Sequence, residues 1–220
     1  GEYAMLLYNF EEAEMYFSKA LLLSPNSPTI IKSLIDITSY QGKYSDALEY
    51  MEQLFYLEPY NKESSLDLYE MYLQNDNFDA ANIILDSLII NHPDDQDILF
   101  AKLNIQYANK DWNAMLYTYK KIFLSDINQS DILKKIYELG IATEKIPLLK
   151  QILWDLKIVS DDEHILQYLI EVEVISTEYD AAITLHHELI DKIGNSDTMI
   201  IRLGELYLRN NQFNDVILTL

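Results

Sequence analysis

The chain has 220 residues, of which 49% are hydrophobic, so it carries enough apolar side chains to build a packed core. Its 16 Lys and Arg residues are opposed by 36 Asp and Glu residues, which gives a formal net charge of -20. A chain this acidic repels nucleic acid and anionic membrane surfaces, because both are negatively charged. Composition therefore argues against nucleic-acid binding and favours a basic partner, or a charge that serves solubility alone.

The sequence contains no cysteine, which excludes disulfide bonds, thiolate metal ligands and a cysteine nucleophile. This absence fits a secreted or periplasmic protein. It also fits a cytoplasmic protein that uses little cysteine, so the compartment stays open, with the extracytoplasmic location favoured. No apolar run approaches the roughly 18 residues that span a bilayer. We therefore expect a soluble protein without direct membrane insertion.

One column of apolar, mostly aromatic residues recurs along the whole chain. Its members follow one another at steps of 34, 34, 34, 34, 33 and 34 residues: Phe10, Tyr44, Phe78, Trp112, Ile146, Tyr179 and Phe213. Further apolar columns follow at offsets of 3, 7 and 10, which is the spacing of one helix face. A fixed period of this length is the signature of a repeat solenoid.

Turn and stop signals divide each period into two helices. Polar segments such as 41–43 and 75–77 separate a first helix from a second one. Pro25, Pro59 and Pro93 recur 34 residues apart and end second helices, because proline cannot continue a helix. The predicted units, in chain order, are 1–27 (partial), 28–61, 62–95, 96–129, 130–162, 163–196 and 197–220 (partial).

These units resemble the tetratricopeptide repeat, which places Gly and Tyr in the first helix and Ala, an aromatic residue and Pro in or after the second. Gly204, Tyr207 and Phe213 match the pattern in the last unit, and Ala47 and Pro59 match it in the second. The resemblance implies an all-α fold, a single right-handed α-solenoid of tandem helix-turn-helix repeats over residues 1–220. It also implies a protein–protein interaction scaffold with no catalytic activity. Since both end units are partial and uncapped, we expect a segment of a longer protein.

The residues that could carry chemistry are few and scattered. The sequence has no HExxH motif, no glycine-rich phosphate loop and no nucleophile elbow. His186 and His187 are adjacent on a helix and point about 100° apart, so they do not form a metal pair. We therefore predict no catalytic residue, no metal site and no cofactor.

The resemblance places the first helices along a concave groove, where one column of residues is acidic. That column reads Glu2, Asp36, Glu70, Asn104, Glu138, Glu171 and Glu205. As a hypothesis, this acidic ladder binds a basic or extended protein segment. In the alternative interpretation it is a solvated face whose members form local ion pairs worth about 0.2–0.5 kcal/mol each. Those pairs would be Lys32 with Asp36, Lys134 with Glu138, and Glu205 with Arg209.

An apolar floor is predicted beside this ladder. Leu66 with Leu73, and Phe100 with Tyr107, are seven residues apart and share a helix face. Exposed apolar patches bordered by charge often mark binding sites. Alternatively, the fourth unit is rotated by about one residue, because polar residues stand at its apolar positions, and the rotation buries Tyr107.

Some tetratricopeptide repeats hold a terminal carboxylate with Lys, Arg and Asn. Here Asp36 replaces the Asn, and Glu63 and Asp67 stand where cations are needed. The chain should therefore repel such a tail.

Two other roles stay open. In one, the chain is a regulatory or targeting domain of a larger enzyme or of a secretion or assembly machine. In the other, it self-associates through the ends of the repeat array.

Overall fold

The fold is built entirely from helices in the part of the chain that the computed structural model describes, which is residues 1, 2, 4, 8–59 and 61–219. Thirteen helices and no strand occur in these residues, which confirms the all-α prediction. Their bounds are α1 Phe10–Leu23, α2 Pro28–Tyr40, α3 Tyr44–Leu57, α4 Lys62–Gln74, α5 Phe78–Asn91, α6 Gln96–Ala108, α7 Trp112–Ser125, α8 Ser130–Ala142, α9 Ile146–Val159, α10 Glu163–Ile175, α11 Tyr179–Ile193, α12 Asp197–Arg209 and α13 Phe213–Thr219. None of these helices is both long enough and apolar enough to cross a bilayer.

The helices alternate between two kinds. The seven members of the recurrent column are each the first residue of an odd-numbered helix, which is the second helix of its unit. The even-numbered, first helices begin at residues 28, 62, 96, 130, 163 and 197, where the predicted units begin. The chain divides into two compact units, Gly1–Ala101 and Lys102–Leu220. One continuous solenoid over all 220 residues stays a prediction.

Small residues let the paired helices approach closely. Ala13, Ala47 and Ala182 stand three residues into their second helices and are fully buried. The fifth repeat has the larger Leu149 at this position, and the facing first helix carries Gly140. A Cβ atom on Gly140 would lie 2.8 Å from the Cβ atom of Leu149. The missing side chain on one helix thus makes room for the larger one on the other.

Each turn between paired helices contains one residue in the left-handed region. The residues and their φ angles are Gly42 at 72°, Asp76 at 56°, Lys110 at 55°, Glu144 at 56°, Thr177 at 61° and Asn211 at 59°. In every case the next residue donates its N–H to a carbonyl five positions earlier, as in Lys43 to Thr38 at 2.8 Å. This closure satisfies a carbonyl at the end of the first helix. Thr177 has the least suitable side chain of the six, because it is β-branched.

Replacing Thr177 with Gly should raise the free energy of unfolding by about 1 kcal/mol, because glycine adopts the left-handed region without a Cβ clash. Gly42→Ala should lower it by a similar amount for the same reason. Urea denaturation followed by circular dichroism measures both changes. Shifts of the two variants in the same direction would contradict this account.

A carboxylate is buried in the sixth repeat. Glu173 occupies the position that holds Tyr72 in the third repeat and Tyr207 in the last, and its side chain is only 1% exposed. Lys150 Nζ lies 2.6 Å from one carboxylate oxygen, and Trp154 Nε1 donates to the other at 3.3 Å. Both partners come from the preceding second helix, α9. A buried charge persists when it is paired and hydrogen-bonded in this way.

Lys150→Met should destabilise the protein by about 2 kcal/mol, because it leaves the Glu173 charge buried beside a single neutral donor. Adding Glu173→Leu should recover most of that loss, since the double variant has no buried charge. Urea midpoints of the two single variants and the double variant give the coupling energy. Purely additive effects would show that the pair does not act as described.

The rotation predicted for the fourth repeat is wrong at the end of its first helix. Leu99 and Leu103 are buried, as the rotation requires. However, Gln106 keeps the buried position and is 8% exposed, whereas Tyr107 is 66% exposed. The Tyr107 ring rests edge-on against Trp112 with centroids 5.8 Å apart. Tyr107 therefore covers the start of the next helix instead of entering the core.

Candidate functional site

A cluster of carboxylates lies in a cleft of the first compact unit, which we name the acidic cleft. Its walls come from two first helices, α2 and α4, and α3 supplies an apolar floor. The cavity holds about 220 Å³ and is lined by Lys32, Ile35, Asp36, Met51, Leu54, Glu63, Ser64 and Asp67. Three carboxylates thus share a small cleft with one ammonium group.

The cations near the acidic cleft are engaged elsewhere. Lys32 Nζ lies 3.4 Å from Glu58, so the predicted ion pair of Lys32 with Asp36 is wrong. Lys62, the cation on α4, holds Asp95 and Asp97 at 2.7 Å each. Within the described residues, Asp36, Glu63 and Asp67 have no cation within ion-pairing distance. The cleft therefore keeps its negative charge.

The charged form of Asp67 is disfavoured by this arrangement. Partial burial raises the pKa of Asp67 above its ordinary value, and repulsion from Glu63, Glu70 and Asp36 raises it further, while attraction to Lys32 offsets only part of the rise. Burial alone raises the pKa of Asp36. Groups whose charged form is disfavoured in this way gain most from a bound cation. Across the part of the chain that is described, no group of three His, Asp or Glu side chains is arranged to hold a metal ion.

The site residues predicted in the first unit do not line the acidic cleft. Glu70 is exposed and acts on Asp67 through its charge. Leu66 and Leu73 are half-buried on α4, and Phe100 is 38% exposed on α6. None of these four residues lines the cavity.

The predicted ladder residues of the second unit are exposed, but three of them have local partners. Glu138 lies 3.7 Å from Lys134, as predicted. Glu171 accepts a hydrogen bond from the Tyr137 hydroxyl, whose ring stacks on Tyr168 with centroids 4.3 Å apart.

Glu205 lies 3.5 Å from Arg202, three residues before it. The predicted pair of Glu205 with Arg209 is therefore wrong. Asn104, the amide member of the ladder, is exposed. The carboxylates of this unit are thus partly compensated by their neighbours, in contrast to those of the acidic cleft.

Sequence reasoning named Glu63 and Asp67 only as positions that lack cations. The signal that could have found them is their spacing with Glu70, since residues 63, 67 and 70 lie at i, i+4 and i+7 on one helix face. A carboxylate stripe on one first helix, facing Asp36 on the previous one, indicates the acidic cleft better than a column of one residue per repeat.

Asp67→Asn should raise the free energy of unfolding at neutral pH by about 0.5 kcal/mol, because it removes a carboxylate that its neighbours repel. The pKa of Asp67 is raised in the folded state, so the wild type gains stability as the pH falls through that pKa and Asp67 binds a proton. The advantage of the variant should therefore shrink on acidification. Urea denaturation at neutral and mildly acidic pH measures this, with Glu138→Gln as an exposed control. An advantage that does not depend on pH would refute the assignment.

Comparison with known proteins supports the repeat pattern. The family model of the tetratricopeptide repeat matches residues 40–103. No curated protein sequence matches the chain.

Two of the solved structures that match the chain have a similar fold, and a third matches with a lower TM-score. A structure described as Naa15/Naa10 bound to HypK-THB has 14% identity and a TM-score of 0.56, covering 92% of this chain and 32% of that one. The MamA protein (from residue 41) of Desulfovibrio magneticus RS-1 has 13% identity and a TM-score of 0.50, covering 73% and 93%. A tetratricopeptide repeat protein from Parabacteroides merdae has 13% identity and a TM-score of 0.48, covering 93% and 80%.

Proposed function

Because this is a chain of tetratricopeptide repeats, we propose that it is an interaction scaffold that binds a basic segment of a partner protein in its acidic cleft. Proteins of this fold commonly mediate protein–protein interaction. The observation that carries the proposal is the set of three carboxylates in one cavity whose nearby cations are held by other groups.

The acidic cleft suits a lysine or arginine side chain. Its floor includes Met51 and the buried Leu54, which offer apolar contact to the aliphatic part of such a side chain. Asp36 and Asp67 on opposite walls then meet the cationic head. Binding a cation would relieve the repulsion that raises the pKa of Asp67, so recognition and charge relief act together.

The outlying ladder residues fit a supporting role. Glu70 extends the negative potential along α4, and the exposed Glu138, Glu171 and Glu205 would raise the encounter rate of a basic partner without contributing much affinity. The role as a domain of a larger enzyme or assembly is compatible with the same cleft, since recognition would position that larger machine.

The proposal can be tested with short peptides that carry two lysines at varied spacing. Each peptide is paired with a version in which norleucine replaces lysine, which keeps the aliphatic chain and removes the charge. The lysine peptides should bind, and the norleucine peptides should bind at least about tenfold more weakly at physiological ionic strength. Fluorescence anisotropy measures the affinities.

Two matched double variants locate the binding. Asp36→Asn with Asp67→Asn should weaken binding of the best lysine peptide by about tenfold. Glu138→Gln with Glu205→Gln removes the same number of charges from the second unit and should change binding less than twofold. Equal losses of affinity in the two double variants would show that only net charge matters and would contradict the proposal. Unchanged affinity in both double variants would contradict it as well.

A further inference from the structure

A second cleft in the first unit is apolar and lies between second helices; we name it the apolar cleft. It holds about 180 Å³ between α3 and α5, and α4 contributes to its lining. Its main side chains are Glu52, Phe55, Tyr56, Tyr72, Ile83 and Ile84. Tyr56 is 81% exposed and Ile83 is 70% exposed, so large apolar side chains stand in solvent at its mouth.

Of these two side chains, Tyr56 belongs to a column that recurs with the repeat. The residue nine positions after the small-residue column is large and apolar five times in succession: Leu22, Tyr56, Ile90, Leu124 and Ile158. Four of the five are about 80% exposed, and Leu124 is 45% exposed. Core packing does not account for this column, because its members contribute little to the core. Where such side chains stand together, as Tyr56 and Ile83 do at the mouth of the apolar cleft, they are typical of an interaction surface.

The charge around the apolar cleft is of one sign. Helices α3 and α5 contain no Lys or Arg, and they carry five carboxylates: Asp46, Glu49, Glu52, Asp79 and Asp86. Glu52 accepts a hydrogen bond from the Tyr72 hydroxyl at 2.6 Å, which fixes one carboxylate at the edge of the cleft. The two second helices that form the apolar cleft thus carry only negative charge, and one carboxylate stands in the cleft itself.

The corresponding helices of the second unit are different. There α7 and α9 carry four lysines, and Lys120 on α7 lies 2.6 Å from Asp155 on α9, so an ion pair joins the two second helices. Lys157 lies over the Trp154 ring, 5.4 Å from its centroid. With no cation on either helix, α3 and α5 cannot be joined in this way. The cleft between α3 and α5 therefore lacks the ion pair that joins α7 to α9.

We propose that the apolar cleft docks an amphipathic helix of a partner protein, one with an apolar face flanked by Lys or Arg. Charge complementarity selects basic flanks, because Glu49, Glu52 and Asp86 would repel acidic ones. The partner segment is expected to bind as a helix. The backbone groups inside α3 and α5 already form hydrogen bonds within their own helices, so the cleft offers none to an extended strand. A helix needs no backbone partners and presents apolar side chains to such a groove.

The probe is a synthetic peptide with leucines at i, i+3, i+4 and i+7 and lysines on both flanks. A peptide of the same composition, scrambled so that no apolar face forms, is its control. The amphipathic peptide should bind with at least about tenfold higher affinity in fluorescence anisotropy. Equal binding of the two peptides would show that only charge is recognised and would overturn the proposal.

Matched protein variants locate the docking surface. Tyr56→Ser with Ile83→Ser should weaken binding by about tenfold, since both side chains line the cleft and are exposed enough to be replaced without unfolding the protein. Ile158→Ser with Val159→Ser removes two exposed aliphatic side chains from α9 and should change affinity less than twofold. Equal losses in both pairs would overturn the proposal. Sedimentation provides a second check. A dimer that the first variant pair abolishes and the peptide does not displace would also overturn the proposal, because a second copy of the chain would then occupy the cleft.

This inference stands apart from the proposed function. Asp36→Asn with Asp67→Asn should leave binding of the amphipathic peptide within twofold of wild type. If that pair instead abolishes it, the peptide occupies the acidic cleft and the apolar cleft is not its site.

Discussion

A single helix pair cannot bury both of its apolar faces, and this constraint organises the molecule. Each pair in a compact unit must cover the next one, which requires the same small or apolar residues at the same positions of every repeat. Ala13 and Ala47 are fully buried for this reason. Where Leu149 departs from the rule, Gly140 on the facing helix compensates, so the helices still pack. The remaining positions are then free to differ from repeat to repeat.

The two candidate binding surfaces use that freedom differently. In the acidic cleft, Asp36 and Asp67 face each other from successive first helices, and the nearby lysines turn to other carboxylates. In the apolar cleft, the exposed side chains of Tyr56 and Ile83 stand on two second helices that lack any cation. Both clefts belong to the first compact unit. An acidic surface that includes the apolar cleft suits recognition of a basic amphipathic protein better than recognition of nucleic acid.

Interactions that a repeat consensus would not contain also shape the second unit. Glu173 stands where the third and last repeats have tyrosine, and it is neutralised by Lys150 from the preceding helix. The hydroxyl of Tyr137 bonds to Glu171, and Lys120 joins Asp155. Each of these contacts links neighbouring helices or repeats through polar side chains. Contacts of the same kind occur in the first unit, where Lys62 holds Asp95 and Asp97, but there the carboxylates of the acidic cleft lack such partners.

The sequence by itself determined the helices and their order. The 34-residue period fixes which residues face inward, because a helix face repeats every 3.6 residues and every unit must pack on the next. All seven members of the recurrent column, from Phe10 to Phe213, accordingly begin second helices. The tertiary structure decided how the charges pair. Lys32 reaches Glu58 and not Asp36, and Glu205 reaches Arg202 and not Arg209. A long, flexible charged side chain can reach several partners, and the distances between neighbouring helices determine which one it pairs with. Spacing along one helix does not give those distances. For the same reason, only the folded chain brings Asp36 and Asp67 into one cleft.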